Sequence, residues 1–313
     1  MLSFVAKRLL GLVPVILVVS IVVFLLLRLS PGDPAVVIAG DNADAATIER
    51  IRTSLGLDQP LVTQFFIWAG ALLQGDLGIS IFSNIPVSEL ILQRLEPTAS
   101  LALTTLVFAI VIAVPLGTIA GATAGSWLDR ALMLVSVLGF SVPVFVLGYC
   151  LIYVFSLQMR VLPVQGFASI RDGIGPFFAT IALPTVTLGL AYLVLIARIT
   201  RASVLEMMGE DFIRTARAKG VKERLVVTRH ALRNAAIPIL TVIGIGVALL
   251  ISGVVVIETV FNIPGVGRLV VDAILKRDYP VIQGVILMFS GVYVLVNLAI
   301  DIGYAFLDPR VRY

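Results

Sequence analysis

Six long apolar runs restrict what this sequence can fold into. They occupy residues 9–29, 101–124, 131–157, 177–197, 237–257 and 281–299, and none has a charged residue near its centre. A helix rises about 1.5 Å per residue, so a run of roughly 20 residues crosses the ~30 Å hydrocarbon core of a bilayer. Only 13% of the residues are charged, against about 25% in soluble domains. The sequence therefore predicts an all-α integral membrane protein with six transmembrane helices.

The first run has a second interpretation, a signal peptide, since Lys7 and Arg8 precede it. The apolar part of a signal peptide is only about 7–15 residues long and leads to a small-residue cleavage site. This run is longer and leads to Ser-Pro-Gly-Asp-Pro at 30–34. We therefore expect an uncleaved helix.

The basic residues fall unevenly around these runs. Nine of the 23 lysines and arginines lie in the 41-residue segment 198–238, here called the basic island. If the N-terminus is cytoplasmic, the cytoplasmic side holds 14 basic and 7 acidic residues, and the external side holds 9 and 12. Cytoplasmic loops of membrane proteins are enriched in Lys and Arg. Both termini and the basic island are therefore predicted to be cytoplasmic.

These runs also define the predicted domains. They are an N-terminal transmembrane helix (1–29), a periplasmic segment with short helices (30–93), a five-helix core that contains the basic island (94–307) and a cytoplasmic tail (308–313). Within the acidic periplasmic segment, a short helix is expected to end at Gly56. An apolar helix near 63–74 is too short to span, and an amphipathic helix at 86–96 leads into the second run.

The sequence lacks the residues that several function classes need. None of its four lysines stands in a Gly-x-x-x-x-Gly-Lys-Ser/Thr phosphate-binding loop. The single cysteine and single histidine, Cys150 and His230, exclude a disulfide framework and a histidine-rich metal site. The net charge of +4 is explained by membrane orientation and does not indicate nucleic acid. The chain is therefore predicted to be no enzyme and to bind no cofactor or metal.

The basic island is predicted to form two short helices around Gly220. Asp211–Lys219 reads as a helix that follows the break at Gly209 and ends at Gly220. In the second helix, apolar or small residues are expected to share one face at i, i+3/i+4 spacing: Val221, Leu225, Thr228, Leu232 and Ala235. The pattern leaves two interpretations open. The island could dock into a groove of another protein, or it could lie as a basic loop against anionic lipid headgroups.

Several motifs resemble the dipeptide, oligopeptide and nickel permeases of ABC importers. Two of them lie in the basic island, EDFIRTARAKG at 210–220 and RHALRNAAIP at 229–238. The others follow the same order along the chain: SPGDP (30–34), LGLDQPL (55–61), QGDLG (74–78), ETVFNIPGVGRL (258–269), RDYPVIQG (277–284) and DPRVR (308–312). The stretch from Ile38 to Leu61 is also similar to the glutathione-importing members.

This resemblance implies a type I ABC importer permease fold in a bacterial inner membrane. It implies a second homologous permease subunit, two ATP-binding cassette subunits that bind and hydrolyse ATP, and a periplasmic substrate-binding protein. The segment that would contact the ATPase comprises Asp211, Arg214, Thr215, Ala216, Arg217, Ala218, Lys219 and Gly220. ABC importer permeases carry a Glu-Ala-Ala-x-x-x-Gly pattern in this loop, and Arg214 departs from its Glu.

The same resemblance implies that outward-facing residues meet the binding protein or form an outer gate, and Glu258, Asn262 and Arg268 are the candidates. Glu258 lies near the outer end of the fifth run, and this position allows two interpretations. It could be a carboxylate at the interface or helix end, or it could be a residue that takes part in transport. An ion-coupled carrier and a non-transporting scaffold are the competing function classes. The expected cargo is a peptide or glutathione-like molecule, and nickel or another small solute is the alternative.

Overall fold

The computed structural model describes residues 2–29, 35–36, 44–54 and 56–307. Within this part of the chain the structure is helical, apart from turns and one isolated antiparallel bridge between Ile79 and Pro86. The helices of eight residues or more are α1 Leu2–Leu29, α2 Ala45–Ser54, α3 Leu61–Leu73, α4 Val87–Ala122, α5 Trp127–Ser141, α6 Val144–Leu151, α7 Ile174–Met208, α8 Asp211–Ala218, α9 Ala236–Val260, α10 Val266–Lys276 and α11 Tyr279–Leu307. The predicted tail 308–313 and the motif at 30–34 lie outside the described residues.

Four helices are long and apolar enough to cross a membrane, namely α4, α7, α9 and α11. α5 and α6, together with the π-helix Ile152–Gln158 that continues α6, would make a fifth span. α1 covers the first apolar run, and the 13-residue α3 is the expected short apolar helix. The count of six spans and their orientation stay predictions.

The third apolar run, predicted to be one span at 131–157, is not one continuous helix. α5 ends at Ser141, α6 begins at Val144, and the two helices are bent by 102°. Val142 between them is extended, with φ −100° and ψ 120°. Pro143 explains the break, because a proline disfavours helical backbone at the residue that precedes it.

The chain divides into two compact units, and the larger one is organised around α7. This unit comprises Glu96–Arg268 and the segment from Leu295 onward. α7 packs against α5, α6 and α9. Its fully buried side chains, such as Ile181, Leu188 and Ile196, form one apolar core with Val254 and Ile257 of α9 and their neighbours. α4, by contrast, exposes apolar side chains at every fourth position, namely Leu103, Val107 and Val111. Such an exposed apolar stripe is what a helix that faces lipid requires.

The second unit comprises Leu2–Leu95 and Leu269–Val294. Phe24 of α1 packs edge-on against Phe65 of α3, with ring centroids 5.3 Å apart. The hydroxyl of Ser80 donates a 2.6 Å hydrogen bond to the buried carboxylate of Asp278. These contacts join parts of the chain that are distant in sequence, which is why the sequence does not predict this unit.

The loops of the larger unit gather into two groups. At one end, the α4–α5 turn meets α7 through Asp129 and Arg201. At the other end, the Gly166 amide donates to the Phe261 carbonyl at 3.0 Å, and Thr98 contacts Glu258. Successive membrane crossings place alternate loops on the same side, so this grouping agrees with the predicted order of the spans.

Candidate coupling helix and outer-loop cluster

The first part of the basic island is a continuation of α7. This helix runs without interruption from Ile174 to Met208. Its 35 residues extend about 52 Å at ~1.5 Å per residue, well beyond the ~30 Å hydrocarbon core. The helix stops at Gly209, and α8 begins two residues later at Asp211. The predicted break at Gly209 and the predicted short helix are both confirmed.

Gly220 ends the α8 region through a Schellman motif. The Val221 amide donates to the Ala216 carbonyl at 3.2 Å, and the Gly220 amide donates to the Arg217 carbonyl at 2.9 Å. This pattern places Gly220 at the first position after the helix cap, where the backbone must be left-handed. Gly220 has φ +75°, a conformation that glycine adopts without the steric penalty of a Cβ atom. The prediction that this glycine divides the island is confirmed.

α8 has a buried face and an exposed face. Ile213 and Ala216 are buried in a small apolar core that also contains Val204 of α7 and Val226. The remaining predicted coupling residues are solvent-exposed: Asp211, Arg214, Thr215, Arg217, Ala218, Lys219 and Gly220. The small side chain of Ala216 therefore packs inside this chain, and this residue does not belong to the exposed surface of the predicted contact segment. Ala218 is the exposed alanine.

Arg214, which departs from the family pattern, lies on the exposed face. Its guanidinium donates a 3.1 Å hydrogen bond to the carboxylate of Asp211, one helical turn earlier. Three-quarters of the Arg214 side chain is exposed (75%). Exposed ion pairs at i, i+3 spacing stabilise a helix only weakly, so this pair leaves the Arg214 side chain available at the surface.

A second ion pair closes the turn around Gly220. The Arg217 guanidinium donates to both carboxylate oxygens of Glu223, at 3.1 Å from Nε and at 2.6 Å from Nη2. These hydrogen bonds lower the pKa of Glu223 and raise the pKa of Arg217. The pair joins the end of α8 to the segment after the turn, and both side chains are partly exposed.

The second half of the island departs from the predicted α-helical spacing. A short helix at Glu223–Leu225 is followed by a π-helix at Val226–Ala231 and a further turn at Leu232–Asn234. The buried residues are Val226, Ala231 and Ala235, whereas Leu225 and Thr228 are exposed. The predicted apolar face is therefore confirmed at Ala235 and, through partly buried side chains packed on the same core, at Val221 and Leu232, and it is wrong at Leu225 and Thr228. A π-helix bonds each residue to the fifth along, so Val226 and Ala231 share a face that an α-helical count separates.

The carboxylate of Glu258 is the centre of the outer-loop cluster. It is fully buried (0% exposed), near the end of α9. Thr98 donates a 2.6 Å hydrogen bond to one oxygen, and the Arg268 amide donates a 2.8 Å hydrogen bond to the other. The Val266 amide donates to the Thr98 hydroxyl at 2.8 Å. Glu258 and Thr98 thus satisfy two amides in the first turn of α10 that have no partner inside that helix.

This burial corrects the expectation for Glu258. A fully buried side chain cannot contact a binding protein or face an open pathway, and the helix-end interpretation is the one that the geometry supports. The backbone around it is packed equally tightly, since a Cβ atom on Gly265 would overlap the Glu258 carboxylate. The helix dipole of α10 also favours a negative charge at this place.

Asn262 and Arg268 lie at the surface of the same cluster. Asn262 has φ +52° and terminates α9, with the Ile263 amide donating to the Glu258 carbonyl at 2.8 Å. Its side chain bonds the Arg268 guanidinium and donates to Gln165 at 3.2 Å. Asn262 is exposed and Arg268 partly exposed, so both stay candidates for an external contact.

Sequence reasoning missed three polar contacts: Thr98 with Glu258, Glu223 with Arg217, and Asp129 with Arg201. Thr98 stands 160 positions from Glu258, and no local signal links them. Asp129 lies in the first turn of α5, after the helix-capping Ser126, and 72 positions separate it from Arg201. Glu223 offered one available signal, since it is the acidic residue closest to Arg217 beyond the glycine turn.

Comparison with known proteins decides the family. Residues 113–313 match the family described as binding-protein-dependent transport system inner membrane component, and residues 1–102 match the N-terminal part of the same component. The chain belongs to this family. The permease is therefore a multi-pass inner-membrane component of an ABC transporter, a complex with further subunits. It is the transport component of that system.

Similar proteins share the full length of the permease. It is 52% identical over 310 residues to the probable peptide ABC transporter permease protein y4tP of Sinorhizobium fredii, covering 99% of both chains. It is 47% identical over 313 residues to the glutathione transport system permease protein GsiC of Escherichia coli K12, covering 100% of both. In fold, it is similar to a chain of the MetNI methionine ABC transporter, with a TM-score of 0.58 and 18% identity over 70% of the permease and 96% of that chain.

Proposed function

We propose that the permease forms the membrane pathway of an ATP-driven importer for peptides, either di- and oligopeptides or glutathione-like molecules. It would act with a second homologous permease subunit, two ATPase subunits that hydrolyse ATP, and a periplasmic substrate-binding protein. The observation that carries the proposal is the construction of α8. This eight-residue helix follows directly from α7, is anchored by Ile213 and Ala216, and ends at a glycine turn.

The exposed surface around α8 has the composition of a docking surface. Arg214 and Lys219 supply positive charge for acidic groups of an ATPase subunit. Phe212 and Leu225 add partly exposed apolar area, at 39% and 46% exposure. Large apolar side chains beside exposed arginines are typical of protein interfaces. This composition favours docking on a protein over a loop held against lipid headgroups.

The mechanism follows from the connection between α8 and α7. Ile213 and Ala216 share a core with Val204 in the last two turns of α7. Because the side chains are close-packed, a force on α8 displaces this core as a unit. α7 is a continuous helix whose membrane part packs against α5, α6 and α9. Movement of a docked ATPase subunit would therefore reach several spans through one helix.

The substrate proposal rests on the named relatives and on the apolar runs. The two full-length relatives are a peptide permease and a glutathione permease by name. The uncharged centres of the apolar runs suit cargo of differing charge. Selectivity would then reside mainly in the binding protein. Measuring which ligands the co-expressed binding protein binds tests the proposed substrate directly. A preference for Ni²⁺ over every peptide would overturn the peptide proposal and leave the fold assignment unchanged.

Gly220 variants test the proposed coupling. A Cβ atom at Gly220 meets nothing within 4 Å of this chain, so a side chain there points into the space where the ATPase subunit would dock. Gly220→Trp is expected to insert normally and to hydrolyse ATP without uptake of a labelled dipeptide. Gly220→Asn is the matched control, because asparagine tolerates the left-handed conformation and is small.

Two results would overturn the proposed function. The first is normal ATP-dependent uptake by a well-expressed Gly220→Trp variant. The second is uptake by the purified permease alone, in vesicles that carry only a proton or sodium gradient, which would establish an ion-coupled carrier.

A further inference from the structure

A largely buried ion pair holds the α4–α5 turn against α7. Asp129, in the first turn of α5, accepts hydrogen bonds on both carboxylate oxygens from Arg201 of α7, one of them from Nη2 at 2.9 Å. The Gly125 amide donates a further hydrogen bond to Asp129 at 2.9 Å. Only 6% of the Asp129 side chain and 21% of the Arg201 side chain are exposed. The contact is thus bidentate and largely removed from solvent.

The backbones meet at the same place. A Cβ atom on Gly121, near the end of α4, would lie 2.6 Å from the Arg201 carbonyl oxygen. One turn earlier, a Cβ atom on Gly117 would lie 2.7 Å from Cβ of Thr200. Glycines four residues apart allow two membrane helices to approach closely. Arg201 therefore lies where the end of α4, the start of α5 and α7 converge.

Arg201 is also next to the anchor of α8. Val204, less than one turn further along α7, is fully buried in the core that holds Ile213 and Ala216. The same part of α7 also meets α4, since a Cβ atom on Gly121 would lie 3.0 Å from Cβ of Val204. A displacement of α8 that moves this part of α7 must also move Asp129.

The chemistry of the pair indicates positioning rather than stability alone. Burial of two charges carries a desolvation cost that can exceed their attraction. Apolar residues in place of a buried ion pair often give the folded protein equal or greater stability. A bidentate arginine–carboxylate pair instead fixes one relative orientation of the two elements. The charges therefore determine the register of the α4–α5 turn on α7.

We infer that Asp129 and Arg201 are positioning residues that carry the movement of α8 to α4 and α5. This inference rests on the proposed function, since it requires that an ATPase subunit moves α8. The role of the two residues is to make the α4–α5 turn follow α7 during the transport cycle.

The experiment uses the complete transporter, reconstituted with the second permease subunit, the ATPase subunits and the binding protein. Asp129→Asn/Arg201→Gln removes both charges and leaves no unpaired one, so the complex is expected to assemble. Stimulation of ATP hydrolysis by the binding protein and uptake of a labelled dipeptide are expected to fall about 5-fold or more, the usual size of a coupling effect. Arg130→Gln, an exposed neighbour in the same turn, is the matched control and should change neither.

A second variant keeps the test decisive if the double variant does not assemble. Arg201→Lys retains the charge but loses the planar fork that makes the contact bidentate, and reduced stimulation with normal assembly is expected. Full stimulation and uptake in the variant that assembles would show that the pair only stabilises the fold, which overturns the inference. If Gly220→Trp alone uncouples the transporter, the inference fails while the proposed function stands. If Gly220→Trp remains coupled, the proposed function fails.

Discussion

Thr98 donates a 2.6 Å hydrogen bond to Glu258, and it simultaneously accepts one of 2.8 Å from the Val266 amide. A single hydroxyl on α4 therefore joins the end of α9 to the start of α10. Every polar atom of this contact is buried. A buried group that loses its partner costs more free energy than the hydrogen bond contributes, so the relationship should be visible in the stability of the permease.

Thr98→Val is expected to lower the stability by about 2 kcal/mol, because the Val266 amide loses its acceptor and Glu258 loses the hydrogen bond that Thr98 donates to one of its carboxylate oxygens. The substitution preserves the shape of the side chain. Thermal unfolding in detergent measures the effect, and hydrogen exchange at residues 266–268 should accelerate. Thr259→Val, at an exposed threonine on the same helix as Glu258, is the control. Equal unfolding midpoints for the two variants would contradict the structural role of Thr98.

Gly265→Ala should destabilise the permease by about 1–3 kcal/mol, the usual cost of overpacking, since the new methyl group overlaps the Glu258 carboxylate. Gly291→Ala in α11, where a Cβ atom meets nothing within 4 Å, should instead be neutral or gain up to about 1 kcal/mol from helix propensity. The two unfolding midpoints should therefore move in opposite directions or differ clearly. A midpoint for Gly265→Ala at or above that of Gly291→Ala would show that the loop relaxes around the added group.

Variants at Ala216 and Ala218 distinguish packing within the permease from docking on an ATPase subunit, because Ala216 is buried and Ala218 is exposed. Ala216→Leu adds volume to the buried core of α8 and is expected to destabilise the isolated permease by about 1–3 kcal/mol. Ala218→Leu is exposed and should leave its unfolding midpoint unchanged, yet weaken co-purification with the ATPase subunits. Both properties are measured on the same two variants. The prediction is wrong if Ala218→Leu changes the midpoint as much as Ala216→Leu does.

The Arg217–Glu223 pair makes a small, pH-dependent contribution to the turn at Gly220. The pKa of Glu223 is lower in the folded chain than in the unfolded one because Arg217 donates to it. Its stabilisation is therefore present above the unfolded pKa of about 4.3 and is lost as the pH falls through the folded pKa. Exposed pairs contribute less than about 1 kcal/mol.

Glu223→Gln tests this dependence. The thermal midpoint of the variant should lie slightly below that of the parent at pH 7, and the gap should close in acid. Glu206→Gln, an exposed carboxylate on α7, provides the comparison. A gap that is constant from neutral to acidic pH would mean that the charge of Glu223 does not stabilise the turn.

The sequence by itself determined the features that depend on neighbouring residues. Apolar runs indicated the membrane helices, because burying a backbone in lipid requires helical hydrogen bonding along a continuous stretch. Gly209 and Gly220 marked the ends of α7 and of the α8 region, because a helix end depends on the conformation of one or two residues. The motif order also placed the chain in its family before any contact was known.

Only the tertiary structure decided the features that depend on distant residues. Glu258 changed from a candidate surface contact to a buried structural carboxylate because Thr98, 160 positions away, lies against it. The π-helix at Val226–Ala231 changed which side chains face the core, since one altered turn rotates everything after it. Asp129 and Arg201 are in contact because glycines on α4 allow that helix to approach α7 closely. In each case the deciding energy comes from packing between helices, which no local stretch of sequence contains.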